Sequence, residues 1–274
     1  MKTFALALGG GGARGLAHIA VIEALDEMGV KPSAIAGTSI GALVGAAYAA
    51  TMHGKDIHRH VIAFAHNRAE TMRRLIAARA GSLAHLFAGA LGQATQLDAE
   101  KFCAQFLPDA IPADFSGLAI PLTVMAADLH RRQEVPLTSG PLHAALAASI
   151  AIPGLLRPVV IDGRVLIDGG ATNPLPFDRL RGLADCIVAV DVLSVPPAER
   201  ADIPNAWECM YTTLNIMGSA IVAAKLAHAA PDLVIHPNVG IFRTLDFYQA
   251  TAILRAADAV KVEVKEKLGV LLAA

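Results

Sequence analysis

Gly37-Thr38-Ser39-Ile40-Gly41 matches G-x-S-x-G and lies between a strand-like and a helix-like segment. Two glycines let the chain turn tightly and leave room beside the serine, which suits Ser39 as a nucleophile at a helix N-terminus. The plain structural role for such a serine is a helix N-cap. A nucleophilic serine needs a base. Asp168 closes a Val-Leu-Ile strand and is followed by Gly169-Gly170, then Ala171-Thr172-Asn173-Pro174. A carboxylate there sits at a strand end beside a loop almost free of side chains, placed either for turn chemistry or as the general base for Ser39. By chain order His228 and His236 also qualify, as the histidine of a Ser-Asp-His triad on an α/β-hydrolase. That fold commonly places its serine after several strands, and Ser39 follows only the second. Asn173 reads as a residue that stabilises the aspartate loop.

Gly10-Gly11-Gly12-Ala13-Arg14-Gly15 follows the first strand and opens a helix, which matches G-x-G-x-x-G. A dinucleotide site wants a carboxylate at the end of the second strand, and that strand ends Ala36-Gly37-Thr38. A P-loop wants G-K-[ST], and Gly15-Leu16 does not supply it. Two readings remain: a tight turn that needs glycine dihedrals, and a cradle of backbone N–H groups at a helix N-terminus, suited to developing negative charge. Arg14 either adds to that field or ties the loop down.

The elements around these residues alternate between strand and helix, which predicts a parallel sheet with helices on its faces. Strands are expected at Thr3 to Leu8, Ser33 to Ala36, Ile120 to Ala127, Gln133 to Leu137, Cys186 to Val192 and Leu233 to His236. Val159 to Ile161 and Val165 to Ile167 flank Asp162-Gly163, a hairpin signal. Helices are expected at Leu16 to Met28, at Ala42 to Met52, throughout 54 to 107 with breaks near Gly81 and Gly92, between Pro204 and Leu233, and from about Asp246 to Leu268. Glu263 and Lys267 mark a solvated face of the last one. Ser194 to Pro204 reads as a Pro-rich loop. No linker divides the chain, so residues 1 to 274 are expected to form one domain.

The chain has 54% hydrophobic and 17% charged residues, enough apolar surface for a full core. Its 23 basic and 24 acidic residues leave a net charge of −1, with no basic footprint for nucleic acid. Cys103, Cys186 and Cys209 are odd in number and far apart, which fits a reducing cytoplasm. The short apolar run at the N-terminus reads as a strand rather than a signal peptide. Ala34 to Met52 carries no charge but is rich in Ala and Gly, with Gly37, Gly41 and Gly45 at four-residue spacing. It reads as strand, turn and closely packed helix, not as a membrane span. His53, His58, His60 and His66 lack metal-ligand spacing, no H-E-x-x-H occurs, and no metal or cofactor is expected. His18 reads as structural. Residues 54 to 79 interleave Lys55, Arg59, Arg68, Arg73, Arg74 and Arg79 with apolar positions. This suits an ordinary surface helix pair or a peripheral contact with anionic lipid at the inner membrane face. Leu83, Leu86, Phe87 and Leu91 suit an acyl-chain wall or lid.

A glycine-rich loop after strand one, G-T-S-x-G soon after, and D-G-G far downstream at Asp168-Gly169-Gly170 together resemble the patatin-like phospholipases, in particular the bacterial branch related to neuropathy target esterase. Ala148-Ser149, Pro153 and Asn173-Pro174 fit as well. The resemblance covers roughly residues 4 to 192. It implies a three-layer α/β/α sandwich with a mostly parallel central sheet, and a carboxylic ester hydrolase of the phospholipase or lysophospholipase type that needs no cofactor. It also implies a Ser39–Asp168 dyad without catalytic histidine, and an oxyanion hole from the backbone of Gly10, Gly11 and Gly12. Arg14, Gly37, Gly41, Gly169 and Gly170 support that site; alanine is also common in the family where Gly170 stands. A lipid- or acyl-binding regulator without catalysis is the alternative on the same fold.

Overall fold

The computed structural model describes residues 2–78, 96–194, 203 and 205–274. The order of elements is β1 (Phe4–Leu8), α1 (His18–Met28), β2 (Ala34–Thr38), α2 (Ile40–Ala49), α3 (Gly54–His66), α4 (Arg68–Ala77), α5 (Ala99–Phe106), β3 (Leu122–Asp128), β4 (Gln133–Leu137), α6 (Leu142–Ser149), β5 (Val159–Ile161), β6 (Arg164–Asp168), β7 (Cys186–Val190), α7 (Ala206–His228), β8 (Leu233–Ile235), α8 (Ala250–Ala257) and α9 (Val260–Ala273). The strands form one sheet in the order β5-β6-β3-β2-β1-β7-β8, and β4 pairs with β3. β3, β2, β1, β7 and β8 run parallel, while β4 and β6 are antiparallel to β3 and β5 to β6.

Side-chain alternation along the strands separates the two faces. Phe4, Leu6 and Leu8 of β1 face the larger core with Ile35, Val188 and Val190, against α1, α2, α6, α8 and α9. Ala5, Ala7, Ala34, Ala36 and Ala189 face the other way, under Leu175, Phe177, Leu180 and Val222 of α7. Helices thus lie on both faces, giving the three-layer arrangement with a mostly parallel sheet.

Several sequence expectations shift. The first helix begins as a 3-10 turn over Gly12–Ala17, so the glycine loop runs into it without a break. The last helix is interrupted: a 3-10 turn at Phe247–Gln249 leads into α8, and Asp258-Ala259 separate α8 from α9. No glycine or proline marks that interruption. The bend lets Ile253 and Leu254 of α8 and Val264, Leu268 and Leu272 of α9 all reach the core. α6 is a helix that periodicity does not announce, because it is Ala-rich and almost wholly buried and so carries no polar stripe. Residues 79–95, with Arg79, Leu83, Leu86, Phe87 and Leu91, and most of the Pro-rich loop lie outside the described residues. Asp162 and Gly163 have φ of 49° and 71°, as the expected hairpin requires.

Ala34 to Met52 folds as β2, a turn and α2. Among the described residues no helix is long and apolar enough to cross a membrane. Close packing through small residues is the reason for its composition. A Cβ on Gly41 would stand 2.2 Å from the carbonyl oxygen of Leu8, which is fixed in the central strand. The Leu8 backbone cannot move without disturbing the sheet. Gly41→Ala is therefore expected to cost about 3 kcal/mol or more, as forced overpacking does, measured as the shift in the urea midpoint. A midpoint within error of the wild type would contradict this packing.

Candidate active site

Sheet register, rather than chain proximity, brings the serine and the aspartate together. Thr38 at the end of β2 pairs with Met125 of β3, and Asp168 at the end of β6 pairs with Ala126, the next residue of β3. Ser39 leaves β2 at φ 56 and ψ -125 degrees. That is a strained backbone for a residue with a side chain. Its hydroxyl donates to Asp168 Oδ2 over 2.6 Å. Both residues are buried, at 7% and 9% exposure. Asp168 Oδ1 accepts from the Gly170 N–H at 2.7 Å, which orients the carboxylate.

Removal from water dominates the Asp168 carboxylate. Burial pushes its pKa up to about 6, against the hydrogen bonds from Ser39 and Gly170 that favour its charged form. An aspartate with the unperturbed value of about 3.9 would be a poor proton acceptor at neutral pH. Here the carboxylate is moved toward the range where a base is ionised and still basic.

Two further anchors hold the strained turn. The Ser39 N–H donates to Ser149 Oγ at 2.9 Å, and Ser149 Oγ donates to the Met125 carbonyl at 2.6 Å. The last residue of α6 thus ties the serine turn to β3. Thr38 Oγ1 donates to the Asn173 carbonyl at 2.7 Å and ties the same turn to the loop after Asp168. Asn173 itself is fully buried. Its Nδ2 donates to Glu134 at 3.0 Å and Asp178 at 3.1 Å, and its Oδ1 accepts from Lys225 Nζ at 2.6 Å. Lys225 also pairs with Asp178, and Arg179 with Glu134. The loop-stabilising role expected of Asn173 holds. Lys225 and Glu134 are distant in sequence, and neither they nor the nearby Asp178 carry a motif, so only the folded chain shows that they belong here.

The glycine loop lies opposite. A methyl on Gly10 would sit 3.5 Å from the Ser39 Cβ. Gly12 has φ 59°, and a Cβ there would collide with the Thr244 carbonyl at 2.2 Å. The Gly9, Gly10 and Ala13 N–H groups donate to the carbonyls of Val190, Pro174 and Thr244 at 3.0, 2.9 and 2.7 Å. Those of Gly11 and Gly12 have no acceptor among the described residues. The expectation that all three glycines offer free donors is thus narrowed, because Gly10 is already engaged. Arg14 is buried behind the loop, its Nε and Nη2 without hydrogen-bond partners. Burial lowers its pKa and nearby Asp191 opposes that. It does not tie the loop through those atoms.

The histidines stand apart. His18 is fully buried, with Nε2 2.8 Å from the Gly9 carbonyl oxygen, and burial lowers its pKa to about 4, so it is neutral and structural. His236 lies 3.8 Å from Asp191, and His228 is exposed at the end of α7. Neither reaches Ser39, so the triad alternative has no geometry behind it. His58 approaches Glu23 at 3.0 Å and His60 the Phe106 carbonyl at 2.9 Å. In the cationic stretch Arg59 pairs with Asp56 at 2.9 Å, and Arg74 donates to the Gln105 carbonyl and lies over the Phe64 ring.

Known proteins similar to this chain place it in a family. The chain is 41% identical over 204 residues to an NTE family protein of Mycobacterium tuberculosis, a match covering 73% of this chain and 52% of that protein. It is 28% identical over 294 residues to Lysophospholipase NTE1 of Pyricularia oryzae, covering 97% of this chain and 19% of the relative. With patatin-like phospholipase domain-containing protein 6 of Mus musculus it shares 26% identity over 271 residues, 90% of this chain and 19% of that one. The chain therefore spans about half the length of its mycobacterial relative and about a fifth of the other two. VipD from Legionella pneumophila shares the fold, with a TM-score of 0.52 at 14% identity over 97% of this chain and 67% of VipD. The sequence profile of the patatin-like phospholipases matches residues 6–181, and the chain belongs to that family.

Proposed function

We propose that this chain is a serine acyl hydrolase that cleaves carboxylic esters of lipids through Ser39 and Asp168. The observation that carries this reading is the 2.6 Å hydrogen bond from a serine on a strained turn to a buried aspartate, beside two backbone N–H groups without acceptors among the described residues. The lysophospholipase names of the fungal relatives support a lipid ester as the substrate class.

In this mechanism Ser39 Oγ attacks the ester carbonyl carbon while Asp168 takes the hydroxyl proton. The Gly11 and Gly12 N–H groups hold the oxyanion, each worth about 3–4 kcal/mol in comparable sites, and Arg14 adds positive potential behind them. The tetrahedral intermediate collapses, and the alcohol leaves with the proton from Asp168. Water then attacks the acyl-serine, losing its proton to Asp168, and the free acid departs with Ser39 restored. Because Asp168 accepts a proton in both halves, no histidine is required. A fluorophosphonate probe tests the reading directly. We expect one adduct per chain on Ser39 by mass spectrometry and none in Ser39→Ala; folded protein with neither an adduct nor turnover of an aryl ester would refute it.

The raised pKa of Asp168 predicts both activity and stability. As base it must be ionised, so kcat/KM should rise with pH through about 6 and then level off. The folded-state value stands above the ordinary 3.8. The linked stability is therefore complete below about pH 4 and is lost as pH rises through about 6. Asp168→Asn removes the buried charge. It should match wild-type stability near pH 4 and exceed it by roughly 1–3 kcal/mol near pH 8, while turnover is lost. Urea unfolding at the two pH values checks the sign.

Ser149 acts through the turn and not on substrate. Ser149→Ala leaves the Ser39 N–H without its partner, and kcat should fall about tenfold or more, with KM for a short aryl ester little changed. Equal losses in kcat/KM and unfolding midpoint, with kcat of the folded fraction intact, would reduce Ser149 to a packing residue.

A further inference from the structure

The rim beside the glycine loop is apolar and exposed. On α7, Ile216 and Met217 are 65% and 57% exposed; in the segment before α8, Ile241, Leu245, Phe247 and Tyr248 are 61%, 39%, 46% and 73% exposed. The two segments are joined by a hydrogen bond from Asn215 Nδ2 to Thr244 Oγ1 at 2.6 Å. They also border the site. The Thr244 carbonyl accepts from Ala13 of the glycine loop, and Gly218 of α7 packs against Pro174 and Leu193. On its inner face α7 also carries Lys225, which holds Asn173 and Asp178. The exposed side chains are therefore fixed relative to Ser39 and Asp168.

Apart from the Arg243–Glu208 pair, charge is sparse on this surface. No charged residue lies between Glu208 and Lys225 of α7, and the outward positions there include Thr212, Thr213, Ala220 and Ala223. The two charged residues of the segment 241–248 are engaged: Asp246 is buried and accepts from the Arg243 N–H, and Arg243 pairs with Glu208 at 3.1 Å. Several large exposed apolar side chains beside one site mark a contact. Phe247 and Tyr248, side by side, are side chains that sit well at a lipid–water boundary.

We propose that this rim, formed by Ile216 and Met217 of α7 with Ile241, Leu245, Phe247 and Tyr248, docks the protein on an uncharged or zwitterionic lipid surface and so presents the Ser39 site to its substrate. The inference rests on the lipid-ester reading above. A lipid surface is the occupant because the patch is continuous with the glycine loop. A protein on this rim would stand over the site, whereas a lipid surface delivers the ester through the same contact. Insertion is apolar, so the attachment differs from the electrostatic contact expected of residues 54–79.

Vesicle flotation tests it, using the whole chain and ether-linked phosphatidylcholine, which has no carboxylic ester to cleave. Wild type and Ser39→Ala should both float with the vesicles, and should still do so in about 1 M salt, where charges are screened beyond about 3 Å. Ile216→Ser with Met217→Ser, and separately Phe247→Ser with Tyr248→Ser, should each weaken partition about tenfold. Both double variants should keep turnover of a water-soluble aryl ester within about twofold, which also shows that they are folded. Wild type that fails to float, variants that float equally well, or binding only to phosphatidylglycerol vesicles that salt abolishes would each overturn the proposal. So would a wild-type dimer in light scattering that both double variants dissolve, since the patch would then join two copies. Flotation without any probe adduct would defeat the hydrolase reading and leave the docking surface standing; an adduct without flotation would do the reverse.

Discussion

Burial of the Asp168 carboxylate against the Ser39 hydroxyl is the interaction on which the rest of the site depends. A charged group taken out of water raises the free energy of the fold unless hydrogen bonds compensate. Two short ones do so in part, from Ser39 and Gly170, and the remaining penalty appears as a pKa of about 6. In the proposed mechanism the same penalty makes the aspartate basic enough to accept a proton near neutrality. Stability and the proposed reactivity are then opposed at one residue, and the scaffold must be rigid enough to hold it.

That rigidity comes from the sheet and from polar ties across it. β3 serves as the common reference, because Thr38 and Asp168 pair with its neighbouring residues Met125 and Ala126. Ser149 fastens the Ser39 backbone to the Met125 carbonyl, so the strained φ of Ser39 cannot relax. Asn173, Lys225, Asp178 and Glu134 fasten the loop after Asp168 to α7 and β4. The polar groups of this network are hydrogen-bonded, and that satisfaction is what allows them to stand next to an apolar core.

Small residues supply the remaining constraint. Alanines on one face of β1, β2 and β7 admit Phe177 and α7 close to the sheet, and α2 meets β1 through Gly41. Close approach of α7 matters beyond packing: it brings Lys225 to the loop after Asp168 on one side and leaves an apolar face on the other. The helix therefore joins the interior of the site to the surface beside it.

The sequence alone determined the local features. Gly37-Thr38-Ser39-Ile40-Gly41 between strand and helix, Asp168 at a strand end, the glycine loop after β1 and the Asp162-Gly163 hairpin are readable because turn chemistry and periodicity are short-range properties. The alternation of strand and helix pointed to the layered fold for the same reason. Tertiary structure decided what depends on long-range register and desolvation. It paired Ser39 with Asp168 through β3 and kept His228 and His236 away from them. It engaged the Gly10 N–H with Pro174 while leaving those of Gly11 and Gly12 without acceptors among the described residues, and it recruited Ser149 and Lys225. It also broke the last helix at Asp258 and raised the pKa of Asp168, since neither a bend chosen by the core nor the loss of water around one carboxylate leaves a local mark in the chain.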